Sequence, residues 1–435
     1  MNPEPPDVSV AGAGPADGRP GWKSAVLLVM GAVAVSNGFA RFTYAFVLPD
    51  MTADVLGSYS VAGALGATNL GGYLAGVVVM TAFAHRFEAT RLLKTGLVLT
   101  LVGLVIVATA PHPSLLFVGM LVAGSCSAAV WIPCTSVISS YAPSARRGLA
   151  FGLVTAGIGM AIALTGQITA WVHAAAGEGA WRPVWAVVVA VSAVVTVLVL
   201  AFLRPVERQP DVAVARAPLR TVLPGATALL LSYGVYGVSF AIYTSFLVAA
   251  LQEELGYGSG AAATAYSLLG LASITGGVVL GRVSDRWGRR PVLVVALLLA
   301  GAASVVIPLG WTALVLPSVI AYGLLMTGIG AVVVAYLSDL LEPRDMAAAF
   351  GAITLSLGVA QLVAPPVGGW LVDATGSFRL TFVVAAGTGA AAGVLAGFLP
   401  ARSRRAVPPV GGTPPEVAPP RSGPSGNRHG NEVPR

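Results

Sequence analysis

Arg41 is the one charged side chain that stands well inside a long apolar stretch of this chain. Asn37, Arg41 and Tyr44 occupy positions i, i+4 and i+7, one face of a helix. A guanidinium held there can grip a carboxylate through two parallel N–H donors, so the chemistry on offer is recognition of an anion. Two placements are open. A charge within a membrane segment marks a wet functional cavity by default. Alternatively, Arg41 stands ~8 Å from the segment's midplane and ~7 Å from the interface, which an extended side chain nearly spans by snorkelling.

The other candidate contacts are uncharged. Tyr233, Tyr236, Phe240 and Tyr243 form an aromatic stripe, suited to a hydrophobic ligand or to packing between helices. Asn69 and Tyr73 share a helical face, Trp131 lies beside the polar positions Ser127 and Thr135, and Gln167 and Gln361 are lone amides in apolar runs. An amide there serves a ligand or bonds a neighbouring helix. No Asp or Glu falls centrally in an apolar run, so an anion fits this set better than a cation.

Catalysis is not indicated. No G-x-x-x-x-G-K-[ST] loop is present for nucleotide phosphates. His85, His112, His173 and His429 fall in loops, helix ends or a tail, away from any paired nucleophile. Cys126 and Cys134 share one apolar run, ~12 Å apart if helical, too far for a disulfide. No cofactor or metal is expected, although an ion or proton gradient can drive such a chain.

These residues need elements to hold them. Of 435 residues, 56% are apolar and only 10% charged, against about 25% charged in a soluble domain. The mean hydropathy is +0.82, the value of a chain whose solvent is mostly lipid. Twelve apolar segments fall at 24–48, 60–84, 92–110, 114–141, 149–175, 182–203, 223–250, 260–281, 291–309, 313–340, 347–373 and 378–399. Each approaches the ~20 residues a helix needs to cross the bilayer. Residues 1–22 and 400–435 are rich in Pro and Gly and are expected to be disordered tails.

Lys and Arg orient the segments. With an inside amino terminus, the inside loops hold 14 of them and the outside loops only Arg182 and Arg379. Both termini are therefore expected in the cytoplasm. The net charge of +7 is explained by this placement and needs no nucleic acid. The chain also echoes itself at an offset near 200. Trp181-Arg182-Pro183-Val184-Trp185 answers Phe378-Arg379-Leu380-Thr381-Phe382, and Phe151-Gly152 answers Phe350-Gly351. A duplicated membrane protein follows: a six-helix half at 23–203, a cytoplasmic linker at 204–222 and a second half at 223–399.

Gly281-Arg282-Val283-Ser284-Asp285-Arg286-Trp287-Gly288-Arg289-Arg290 resembles the G-x-x-x-D-R-x-G-R-R loop of the major facilitator superfamily. In the first half Thr81 and His85 replace its Gly and Asp, while Arg86 remains. The run from Gly38 to Ala45, followed by Asn69 to Gly76, is similar to the YbfB/YjiJ-like branch. The resemblance implies an all-α fold of twelve transmembrane helices in two pseudo-symmetric halves, with helices 1, 4, 7 and 10 lining a central cavity. It implies that Gly281, Asp285, Arg286, Gly288, Arg289 and Arg290, with Arg86, form a latch that closes the cytoplasmic side. The expected neighbour of Asp285 is the start of helix 5, near Arg146, Arg147 and Gly148. Charge topology alone would account for the arginines, though not for the Asp or the Gly spacing. The superfamily's antiporter motif is degraded, since Ala161-Ile162 stand where Gly-Pro belongs.

The expected protein is a secondary transporter of the inner (plasma) membrane, multi-pass and monomeric. It moves a small organic anion, with a proton as a possible companion, by alternating access. The alternatives are efflux of hydrophobic compounds and, outside transport, a membrane sensor.

Overall fold

In the computed structural model, residues 21–206, 219–341 and 343–400 are described. Both tails and most of the linker read from sequence lie outside them. Among the described residues, twelve helices are long and apolar enough to cross a membrane. They are α1 (Trp22–Phe46), α2 (Tyr59–Phe83), α3 (Ala89–Thr109), α4 (Pro113–Tyr141), α5 (Arg147–Ala176) and α6 (Trp181–Phe202). The second six are α7 (Leu219–Glu253), α8 (Ser259–Trp287), α9 (Arg289–Leu309), α10 (Val315–Leu340), α11 (Pro343–Thr375) and α12 (Arg379–Ala396). Their apolar windows average a hydropathy between 1.3 and 2.8. In a medium without water, only a helix satisfies every backbone N–H and C=O within one segment.

The packing repeats six helices on. In the first half α1 packs on α5, α2 on α4, α3 on α4, and α3 on α6; in the second, α7 packs on α11, α8 on α10, α9 on α10, and α9 on α12. The halves meet along two equivalent seams, α2 against α11 and α5 against α8. Small residues let the backbones approach there. A Cβ on Gly63 would come 2.2 Å from the Pro365 carbonyl oxygen, so that seam admits only glycine at this position.

Helix α1 departs from ideal geometry where it matters. Residues Ala34–Phe39 are wound as a π-helix, one turn before Arg41. Such insertions gather at functional sites because the extra residue re-aims the side chains that follow. Helix α7 begins at Leu219, inside the segment read as linker, because its first turns continue the helix past the apolar run.

Large side chains fill each half: Trp181 and Trp185 in the first, Tyr236, Tyr266, Tyr322, Phe378 and Phe382 in the second. The outer surface remains apolar, with Val78, Trp171, Val194 and Val197 at least 61% exposed. That pattern suits lipid, against which an exposed apolar side chain carries no hydrophobic penalty.

Candidate functional site

Where α1, α2, α7 and α11 converge, a small cavity of about 30 Å³ opens between the halves. Arg41, Phe42 and Tyr44 line it from α1, Gly66 and Leu70 from α2, Phe240, Thr244 and Ser245 from α7, and Gln361 and Pro365 from α11. It has room for about one or two waters, so the halves are drawn close around it.

Its polar groups link the halves. Arg41 Nη2 donates to Gln361 Oε1, from α1 to α11. Tyr44 Oη donates to Ser245 Oγ at 2.6 Å, from α1 to α7. Gly66 leaves the space that Tyr44 needs, since a Cβ there would stand 2.3 Å from the hydroxyl. The Arg41 guanidinium also sits 5.7 Å from the Phe42 ring, and Tyr73, Tyr44 and Tyr266 lie within electrostatic range of it. Arg41 thus points toward the middle of the molecule and not along its lipid surface.

The other sequence candidates are placed elsewhere. Asn69 Nδ2 donates to the Ala40 and Met120 carbonyls, each at 3.2 Å, and so bolts α2 to α1 and α4. Asn37 donates to Ser36 at 2.9 Å. Trp131 packs against Phe151 at 6.1 Å. Tyr243 stacks on Tyr322 with ring centroids 3.7 Å apart, inside the second half. Tyr233 stacks on Tyr236 at 6.0 Å. Of the stripe on α7, only Phe240 lines the cavity.

Thr244 and Ser245 were absent from the sequence reading, because small hydroxyls in apolar helices commonly bond their own backbone. Thr244 does so, to the Phe240 carbonyl at 2.7 Å. The internal repeat carried a signal: Ser245 stands 201 residues after Tyr44, close to the repeat offset, and bonds it from the corresponding helix of the other half.

The two ends of the molecule differ. At the end where α1 finishes and α2 begins, the Asp373 carboxylate on α11 accepts from the Tyr59 and Ser60 amides at 2.8 Å each, capping the amino end of α2 in the other half. Tyr59 also donates to Glu253 and packs edge-on to Phe378 at 4.8 Å. On the second seam Ser259 donates to Glu178, and Gln167 to Ser267, both at 3.3 Å. Outside the spans at this end, Asp54 and Glu254 are held below the ordinary carboxylate range. Asp54 accepts from the Trp181 indole and from Arg182. Burial would raise Glu254, but bonds from Ser377, the Phe378 amide and Arg379 outweigh it. Nearby, His173 Nε2 lies 3.0 Å from Asp50 Oδ2, close but off the line of a hydrogen bond.

At the end where α1 begins and α12 ends, the α8–α9 turn is tied into its own half. Arg289 is the hub: it pairs with Asp285 at 2.6 Å, donates to Ser284 at 2.6 Å, and reaches Asp339 on α10 at 3.3 Å. Gly288 makes this turn with φ +95°, which favours glycine. Arg290 donates to the Gly397 carbonyl, while Arg282 and Arg286 are exposed. Arg86 lies over Phe83 at 5.2 Å. Arg146, the expected neighbour of Asp285, instead lies over Trp22 at 5.5 Å. Cβ atoms on Gly148, Gly152, Gly281 or Gly351 would meet no described atom within 4 Å. The described side-chain bonds between the halves thus lie at the cavity and at the end where α2 begins.

A family profile described as the uncharacterised MFS-type transporter YbfB matches residues 33–397. Monocarboxylate transporter 11 of Mus musculus is 29% identical over 395 residues, covering 86% of each chain. Monocarboxylate transporter 13 of Bos taurus is 26% identical, covering 71% of this chain and 73% of its own. The class C tetracycline resistance protein of Escherichia coli is 38% identical over 115 residues, 25% of this chain and 27% of its own. Among solved structures, the nucleoside transporter NupG superposes with a TM-score of 0.71 at 12% identity, over 87% of this chain and 98% of that one. A bacterial homologue of the human lysosomal transporter Spinster does so at 0.67 and 16%, over 87% and 95%.

Proposed function

This chain belongs to the YbfB-like transporters of the major facilitator superfamily, and from that premise we propose that it moves a small carboxylate-bearing organic anion across the plasma membrane by alternating access. The observation that carries the reading is Arg41. It is a guanidinium in the central cavity, on the boundary between the halves, with no carboxylate among the residues lining that cavity. Its partner there is the neutral amide of Gln361. Such a site favours a cargo that supplies the missing negative charge. The curated relatives named as monocarboxylate transporters support the same class. The charge count of the loops supports a cytoplasmic placement of the end where α1 begins and α12 ends, and on that reading the end tied by Asp373 and Tyr59 faces outward.

Binding and uptake of carboxylates by purified protein in proteoliposomes test this. Arg41→Ala should weaken carboxylate binding by about 10- to 150-fold, the worth of a charge-assisted hydrogen bond at roughly 1.5–3 kcal/mol. Arg41→Lys should also weaken it, because an ammonium lacks the planar fork. Equal binding by wild type and Arg41→Lys for every carboxylate would sink the anion site. Efflux of hydrophobic compounds is then the better reading, and Phe42, Leu70, Phe240 and Pro365 in the lining would serve it.

A further inference from the structure

We propose that Gln361 determines anion selectivity by standing in for the cargo: in the empty site its side-chain carbonyl occupies the place of a carboxylate oxygen on Arg41, and loading the site displaces it. This rests on the carboxylate reading above and adds a residue and a step to it. Gln361 is 6% exposed, on α11, and its Oε1 accepts from Arg41 Nη2 on α1. An amide oxygen offers the guanidinium the same acceptor geometry as a carboxylate, without the charge. The Arg41–amide bond is assisted by the donor's charge alone, whereas a carboxylate adds the opposite charge and can accept two parallel N–H bonds from the guanidinium. The amide is therefore good enough to hold an unloaded guanidinium and weak enough to yield to an anion.

A neutral solute gains nothing comparable by the exchange and must break the same bond. The amide thus discriminates against uncharged cargo of similar shape, which is selectivity by a cost placed on the wrong ligand. The position also couples loading to movement. Gln361 and Arg41 belong to different halves, and one turn beyond Gln361 the Pro365 carbonyl is pressed against Gly63 on α2. Displacing the amide removes a tie between the halves at the moment the guanidinium is neutralised.

The substitution Gln361→Glu keeps the shape and installs a permanent internal carboxylate. Gln361→Ala removes the stand-in. Binding of labelled acetate, pyruvate and benzoate to the purified full-length chain is measured for both, with transport kinetics in proteoliposomes. Gln361→Glu should weaken all three by more than about tenfold at neutral pH, an internal ion pair exceeding the amide by at least one factor of ten. Affinity should return as the pH falls and the new carboxyl protonates. Gln361→Ala should tighten binding by about three- to tenfold, the net worth of one hydrogen bond no longer broken, while slowing turnover, so that KM and kcat fall together. If both variants merely melt earlier and leave the three affinities unchanged, or shift them in the same direction, Gln361 is structural and the inference is overturned. If the wild type binds the probes and Arg41→Ala abolishes this, the carboxylate reading survives that loss. Failure of the wild type to bind any of the three overturns both.

Discussion

A guanidinium within a membrane segment carries a penalty of about 2.5–3.5 kcal/mol at the centre of a lone helix, and Arg41 meets it with company. Gln361, the Phe42 ring and the cavity's hydroxyls replace part of the water it gives up. Its neighbours on the same helical face fare differently. The spacing of Asn37, Arg41 and Tyr44 was legible in sequence, but a π-helix spans Asn37 and ends before Arg41, so the three do not share one outlook. The tyrosine stripe on α7 shows a related limit. Spacing tells which side chains share a face, not which neighbour that face meets. Tyr243 turns to Tyr322 in its own half, while Phe240 meets the cavity. Asn69 gives the clearest test of this distinction. It donates to two carbonyls on two other helices, so Asn69→Ala should lower thermal stability by roughly 1–3 kcal/mol, the cost of leaving buried groups unpaired. The ratio of carboxylate affinities should not move. A changed selectivity with unchanged melting would return Asn69 to the binding site.

At the scale of elements, hydropathy made the twelve spans legible, since lipid enforces both length and composition. The last span, read at 378–399, is Arg379–Ala396. The boundary of α7 was misplaced because its first turns are not apolar. The contacts that close one end were not legible at all. They join Asp373 to the amino end of α2, more than three hundred residues away, and no local pattern announces that meeting. A carboxylate at a helix amino terminus is favoured by the exposed amides and by the helix dipole. Asp373→Asn keeps the shape and removes that charge. It should raise labelling of introduced cysteines lining the α2–α11 seam from that end, and labelling that stays at the wild-type level would reduce Asp373 to a simple helix cap. The same end predicts a pH response. Asp54 and Glu254 are depressed in the folded state, so the unfolded chain takes up their protons first as the pH falls. Their stabilisation is complete above the ordinary carboxylate range near 4 and is lost as the pH falls through their lower folded values. Melting temperature should be level around neutrality and drop in acid, with a smaller drop for Arg379→Ala, which removes one of the bonds that depress Glu254.

For the whole molecule, two repeats facing each other across a two-fold axis would have two equivalent ways to close, and the proposed alternating access requires both. The seam of α5 against α8 is bonded by Ser259–Glu178 and Gln167–Ser267 toward one end. If the halves rock about the Arg41 cavity, the two ends of this seam must move in opposite senses. Spin labels at Gly148→Cys and Gly281→Cys report the end where α1 begins and α12 ends, and labels at Ala175→Cys and Gly258→Cys report the other. The native Cys126 and Cys134 are first replaced by Ser and Ala, since Cys126 is partly accessible and Cys134 is buried. An added carboxylate that binds at Arg41 should shorten the first distance and lengthen the second. If Asp285 latches that end by exchanging Arg289 for the Arg146–Arg147 end of α5, Asp285→Asn should blunt the shortening while sparing binding. A ligand-dependent population of this kind requires a differential affinity of about 1–3 kcal/mol between the two forms, a shift of roughly 5- to 150-fold. Such a shift is readily seen in distance distributions. Carboxylate binding with both distances unchanged, or with both moving the same way, would sink the rocking model and leave the closed end as a fixed lid.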